Sequence, residues 1–191
     1  MGVVQTALFL YSHGKIAIHG EFVDYISLDS IPYFSDCGPL IAGLGYVLVE
    51  LRVIPQHDSI RVIVVISKPV KGNDSIAIGV NDCAKVHRVL LPRLEALLNS
   101  QDIYMEVTSP GMERLIKNSA EFSLFKGRFI RVWDKEITDW IFGKICDSDT
   151  QSLTLEVIHR DDSLKDGKTE PEIKIIPFVR ISKAKLLQIG G

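Results

Sequence analysis

Cysteine is scarce in this sequence. Cys37, Cys83 and Cys146 are the only three in 191 residues, with no Cys-x-x-Cys pair and no histidine beside them at metal-ligand spacing. That argues against a disulfide framework and against a zinc site, both of which need such clusters. It leaves the three as small core hydrophobes. Long apolar runs are missing too: Val3 to Tyr11, near the start, contains Gln5 and Thr6 and falls far short of the roughly 20 residues of a membrane-spanning helix. The first cation, Lys15, follows that run, whereas a secretory signal places its positive charge in front. The chain therefore reads as cytoplasmic and without a membrane partner. Met1 to Thr6 fits the loose myristoylation pattern, whose two fixed positions are common by chance.

Catalytic signatures are absent as well. There is no Gly-x-x-x-x-Gly-Lys-Ser/Thr phosphate loop, no Gly-x-Ser-x-Gly elbow and no His-Glu-x-x-His helix. Gly38 to Gly45 is glycine-rich, but it precedes a strand-like run, whereas a dinucleotide fingerprint follows a strand and opens a helix. No cofactor and no metal are expected, and the chain reads as a non-enzyme.

What is present is a globular composition, 46% apolar and 24% charged, long enough for one large or two small domains. An amphipathic helical segment spans Leu28 to Ala42, interrupted by Pro32 and Pro39. Tyr46 to Ile54 and Ile60 to Ser67 are rich in β-branched residues and read as a hairpin across Pro55 to Ser59. From an N-cap at Gly79, Cys83, Val86, Leu90, Leu94 and Leu97 recur at helical spacing. Pro92 should kink or divide that helix, because its ring clashes with the Arg88 carbonyl. Ile103 to Thr108 is a strand, and Ser109-Pro110-Gly111 has turn chemistry, with Gly111 free to take a positive φ. An α-β-β-α-β unit thus closes near residue 111.

A bridge of helix formers, Met112 to Leu124, leads to five short apolar runs: Arg128–Trp133, Ile141–Cys146, Leu153–His159, Ile173–Pro177 and Ile181–Leu187. Their spacing suggests a small β-barrel or sandwich, with Asp161 to Glu170 as a hydrophilic tip. At barrel spacing Phe129 and Trp133 belong to the core; with Phe125 and Trp140 they are otherwise the aromatics available for stacking on RNA bases.

Charge is unevenly spread. Residues 1 to 106 hold 8 basic and 11 acidic side chains, and residues 107 to 191 hold 14 and 13, within a net charge of −2. Met112 to Lys135 contains six cations and three anions, and Ile173 to Gly191 contains four cations and no anion. Such segments are either solvated faces or a local phosphate-binding footprint.

Two constellations carry potential chemistry. Cys83 and His87 share a helical face at i, i+4 spacing, as a thiolate–imidazole pair would, but Cys83 sits on the apolar stripe and His87 at its border. Glu106 to Arg114 is denser. It reads either as a strand, a turn and a helix start, capped by Thr108 or Ser109 with Glu113 near the dipole, or as a rigid turn that presents Ser109, the Gly111 backbone and Arg114 to an anion or a partner.

From Tyr104, the stretch YMEVTSPGMERLIKNSAEFSLFKGRFIRV resembles the signature of the bacterial ribosome maturation factor family RimP: a strand, a Ser-Pro-Gly-hydrophobic-acid-Arg turn and a Phe-x-Gly-Arg/Lys entry into a second domain. Gly43 to Val49, Asp82 to Val86 and Ile181 to Leu187 are similar to further pieces of that family in the same order. Leu115 stands where Pro is common, Glu113 where Asp is frequent and Gly79 where Thr often caps.

The resemblance implies an α+β protein: an N-terminal α-β-β-α-β domain followed by an SH3-like or Sm-like barrel. The domain boundaries expected are an N-terminal extension at 1–27, an α/β domain at 28–111, a junction at 112–124 and a barrel at 125–191. It also implies a monomeric, non-catalytic factor that binds the free or immature small ribosomal subunit. Its partners would be pre-ribosomal RNA and a small-subunit protein near the decoding centre. The expected contacts are Ser109, Gly111, Arg114, Lys117, Lys126, Arg128 and Arg131, with Pro110 and Gly111 fixing the turn. The competing readings are a general Sm-like RNA-binding module and a thiol enzyme built on Cys83 and His87.

Overall fold

The computed structural model describes residues 25–70, 77–111, 113–158 and 171–187. Residues 1–24 of the expected extension, the myristoylation pattern and the 161–170 tip lie outside them. A 3-10 turn at Leu28–Ser30 precedes α1 (Phe34–Gly43), β1 (Val47–Pro55), β2 (Ile60–Ser67), α2 (Val80–Leu98) and β3 (Ile103–Thr108). The chain continues through α3 (Glu121–Leu124), β4 (Phe129–Asp134), β5 (Asp139–Ser148), β6 (Ser152–Val157) and β7 (Ile173–Pro177) to a 3-10 turn at Phe178–Arg180 and β8 (Ile181–Leu187). Among the described residues no helix is long and apolar enough to cross a membrane.

The α-β-β-α-β order stands. The first helix is shorter than expected, because Ile31, ahead of Pro32, is extended at φ −74°, ψ 126° and Tyr33 turns left-handed at φ 63°, so helix starts only at Phe34. A residue before proline is pushed out of the helical region. Pro92, by contrast, does not divide α2, which runs unbroken from Val80 to Leu98. Val86, Leu90 and Leu94 are completely buried around it. Three such burials, each about 1.5–3 kcal/mol, outweigh the roughly 3 kcal/mol that an interior proline costs. At the start of α2, the Gly79 N–H donates to Asp82 Oδ2 at 2.8 Å and the Tyr46 hydroxyl donates to Asp82 Oδ1 at 2.6 Å. With Lys68 Nζ 3.0 Å away, these bonds hold the Asp82 carboxyl down at about 2.

The first sheet has the order β1-β2-β3, with β1 antiparallel and β3 parallel to β2. A parallel pair needs a crossover, and α2 supplies it. One sheet face carries Leu48, Leu51, Val62, Val64, Ile66 and Met105 against both helices, with Cys37 and Ile41 from α1. The other face is not left to solvent: Val49 and Val65 belong to the core of the C-terminal half. Burial of β2 on both faces explains why it reads IRVIVVIS with hardly a polar alternation.

The C-terminal half is a five-stranded antiparallel sheet of order β7-β6-β5-β4-β8, and it corrects the expectation of a barrel. Among the described residues no ladder joins the outer strands β7 and β8. The free edge of β8 is instead taken by the junction: Ile116 N–H donates to the Ala184 carbonyl at 2.9 Å, and Leu186 N–H to the Arg114 carbonyl at 2.8 Å. An edge whose backbone groups are already paired has none left to close a barrel. The same pairing replaces the expected bridging helix, which shrinks to the four residues of α3, while Ile116 is buried in the core.

Strand alternation also places the aromatics. Ile130, Val132, Ile141 and Ile145 point into the core, so Phe129 and Trp133 lie on the opposite face, half-buried rather than in the core as their spacing suggested. Two glycines are structurally required. Gly127 has φ 84°, a left-handed value that side chains disfavour, and a Cβ on Gly143 would lie 2.6 Å from the Glu156 carbonyl oxygen of the neighbouring strand.

Candidate functional site

The turn after β3 projects from the seam between the two halves. Ser109 and Gly111 are exposed and Pro110 is half-buried. Gly111 does not use the positive φ expected of it, which among the described glycines occurs only at Gly45 and Gly127, and a Cβ there would meet nothing within 4 Å. Beyond it Glu113 is no dipole partner, since no helix begins there. It accepts instead from Arg131 Nη2 at 3.1 Å and Lys185 Nζ at 3.2 Å.

Arg114 turns inward. Its Nε donates to Glu121 Oε2 and its Nη2 to Glu50 Oε2, both at 2.9 Å, and the side chain is only 9% exposed. Glu50 reaches this point through a β-bulge: the register slips between Leu48 and Glu50, so Val49 and Glu50 both face the C-terminal half while Leu48 and Leu51 face the helices. Bulges re-aim side chains in this way. Burial alone would raise the Glu50 carboxyl, but the Arg114 hydrogen bond and the charges of Arg114, Lys117 and Arg52 bring it below its ordinary value. Glu121 lies deeper, and burial prevails over Arg114 to keep its carboxyl raised. Burial opposes the charge on Arg114, yet the two carboxylates hold its pKa above the ordinary value. The arrangement is a tie between β1, the junction and α3.

Arg128 is also internal, 8% exposed. Its Nη1 is 3.4 Å from the Ser67 hydroxyl at the end of β2, its Nε has no hydrogen-bond partner among the described residues, and burial lowers its pKa. Lys117 and Lys126 are exposed, each beside one carboxylate: Lys117 Nζ is 3.4 Å from Glu50 and Lys126 Nζ is 3.2 Å from Asp147. Arg131 stands on the outer face of the second sheet, 5.0 Å from the centre of the Trp140 ring. Of the second cationic segment, Arg180 is bound to buried Asp134 at 3.1 Å through Nε. The sequence-predicted residues thus do not converge on one surface. Ser109, Gly111, Lys117 and Lys126 reach solvent, Arg131 is partly exposed, and Arg114 and Arg128 point inside.

The other constellation is an open depression of about 370 Å³ lined by Val80, Cys83, Ala84, His87, Arg88 and Val107. Burial and the neighbouring Asp82 raise the Cys83 thiol, away from the thiolate that nucleophilic chemistry uses. Cys37, fully buried, is raised to about 11 by burial.

Residues 36–113, from the first turn of α1 to the residue before Arg114, match the model of the RimP N-terminal domain. The likeness to the RimP family thus covers the first domain of the chain. The protein is similar to the ribosome maturation factor RimP of Borrelia turicatae (strain 91E135), 33% identical over 89 residues that make up 47% of this chain. The match spans 57% of that relative's length. The second sheet lies beyond the span matched to the family domain. Of the partners of the two buried arginines, Glu50 and Ser67 belong to no motif, Glu121 lies within the signature-like stretch from Tyr104 without a role of its own there, and Glu50 is aimed by a bulge that only strand pairing creates.

Proposed function

We propose that this protein is a non-catalytic factor of the cytoplasm that binds the free or immature small ribosomal subunit and assists its assembly. The RimP N-terminal domain over residues 36–113 carries this reading, and the name of the Borrelia turicatae relative supports it. The protein acts as a monomer of two domains, 28–111 and 125–191, joined at 112–124 behind an N-terminal extension. Its partners are pre-ribosomal RNA and a small-subunit protein near the decoding centre. Contact is made through Ser109, Gly111, Lys117, Lys126 and Arg131. Arg114 and Arg128 act from within: one ties the turn to β1 and α3, the other fills the seam beside Ser67. Such a factor favours one assembly state by binding it better than the next, since a ligand with equal affinity for both shifts nothing.

Sedimentation of a lysate on a sucrose gradient tests this directly. The protein is expected with free small subunits and not with translating ribosomes, and its association should weaken as salt rises because phosphate contacts release counterions. Lys117→Ala together with Lys126→Ala should reduce co-sedimentation while leaving the fold intact. A protein that stays at the top of the gradient even at low salt would refute the assembly role.

A further inference from the structure

The outer face of the second sheet is covered by no element of the described fold. Strand register sets its side chains in rows. Trp133 lies opposite Trp140 on β5 and opposite Lys183 on β8. Arg131 lies between Phe142 and Lys185, and Phe129 between Lys144 and Leu187. Neighbours across a sheet are about 4.8 Å apart, and alternate residues along a strand about 7 Å. Aromatic rings and cations therefore alternate at short range over three strands.

Trp133 and Trp140 meet edge to face with ring centres 5.5 Å apart and planes at 80°. The Arg131 guanidinium lies over the Trp140 ring and donates through Nη2 to Glu113. Lys144 and Lys183 are exposed and have no carboxylate within ion-pair range among the described residues. With Arg131 and Lys185 they give four cations against Glu113 and Glu156, a positive face on a chain of net charge −2.

Half-open rings between Lys144 and Lys183, which have no carboxylate within ion-pair range among the described residues, suit a ligand with flat apolar surfaces and an anionic backbone. Unpaired nucleotides have both, whereas a duplex hides its base faces. We propose that this face binds single-stranded RNA, with bases stacked on Trp133, Trp140 and the Arg131 guanidinium and phosphates held by Lys144 and Lys183. An acidic peptide would satisfy the lysines and leave the rings unused. The inference stands apart from the assembly role, because it is tested with no ribosome present.

Both tryptophans of the chain lie on this face, so tryptophan emission reports on it alone. The full chain is titrated at 50 mM salt with a mixed-sequence single-stranded RNA of 12 nucleotides and with the duplex of the same sequence. Saturable quenching by the single strand, at least tenfold tighter than any by the duplex, is expected. Two to four phosphate contacts predict a weakening of about 7- to 50-fold between 50 and 200 mM salt. Lys144→Glu with Lys183→Glu, both at exposed positions, should weaken binding more than tenfold while the free protein's far-UV circular dichroism stays unchanged. Trp140→Leu should weaken it about 5- to 100-fold by removing a stacking partner. No quenching at 50 mM salt, equal quenching by the duplex, or unaltered affinity in the lysine double variant would overturn the proposal. If the protein sediments with small subunits and yet fails this titration, the face is wrong and the assembly role stands. The opposite pair of results would leave an RNA binder with a different task.

Discussion

Arg114 and Arg131 belong to the same cationic segment of sequence, yet the fold uses them in opposite ways. Arg114 is enclosed at the seam, bonded to two carboxylates and 9% exposed. Arg131, 26% exposed, lies over a tryptophan on an open sheet face. A cationic stretch in a sequence is therefore not yet a surface. Whether each charge is consumed internally or offered outward depends on which side of a strand it falls and on what packs there.

The sharpest way to break this comparison is to remove the inner charge. Arg114→Met leaves Glu50 and Glu121 buried without their partner and should cost about 3–5 kcal/mol, measured by urea unfolding. A loss below 1 kcal/mol would mean that the tie contributes nothing and that Arg114 is free for other work. The next largest effect is expected at Asp82, which is remote from both cations. Asp82→Asn keeps one oxygen acceptor but loses the other and the charge facing Lys68, and should cost about 1–2 kcal/mol at neutral pH. Because the Asp82 carboxyl is depressed to about 2, its contribution is present above the ordinary aspartate value and disappears as pH falls toward 2. The stability gap between wild type and variant should therefore close in acid.

The two glutamates around Arg114 sharpen the comparison from within. Glu50 is lowered and Glu121 raised, so their linkage has opposite signs. The Glu50 contribution is complete above about pH 4.3 and is lost as pH falls. The Glu121 contribution is complete below that pH and is lost as pH rises through its raised value. At pH 7 Glu50→Gln should destabilise by more than Glu121→Gln, and the order should narrow or reverse near pH 4, read from urea midpoints at the two pH values. Arg128 supplies a smaller effect. Among the described residues it is buried without a carboxylate partner, so Arg128→Met should leave stability unchanged within about 1 kcal/mol or raise it, and a fall above 2 kcal/mol would show that the Ser67 contact matters. Smallest of all is Lys144→Ala, exposed on the outer face, which should alter stability by less than about 0.5 kcal/mol.

Much of the architecture was legible beforehand. Ile60–Ser67, Ile103–Thr108, Ile173–Pro177 and Ile181–Leu187 form the strands their β-branched runs announce, and Gly79 begins the second helix. The candidate site was less legible. Ser109 and Lys126 do face solvent, but Arg114 and Arg128 lie inside because Glu50 is re-aimed by a bulge and Ser67 ends a doubly buried strand. Phe129 and Trp133 were misplaced because period-2 alternation says only that they share a face, and which face is inner depends on what the sheet packs against.

The sequence by itself determined the order of elements, the two-part layout and the family likeness of the first domain, since these follow from local propensity, turn chemistry and a motif carried by adjacent residues. Only the tertiary structure decided that the second sheet stays open, that the junction meets β8 through an isolated bridge at Leu115 and keeps only four helical residues, and which cations and aromatics remain outside. Those outcomes depend on competition between distant backbone groups for the same edge of β8 and on the burial of one sheet face by another. Neither can be read from any single stretch of chain.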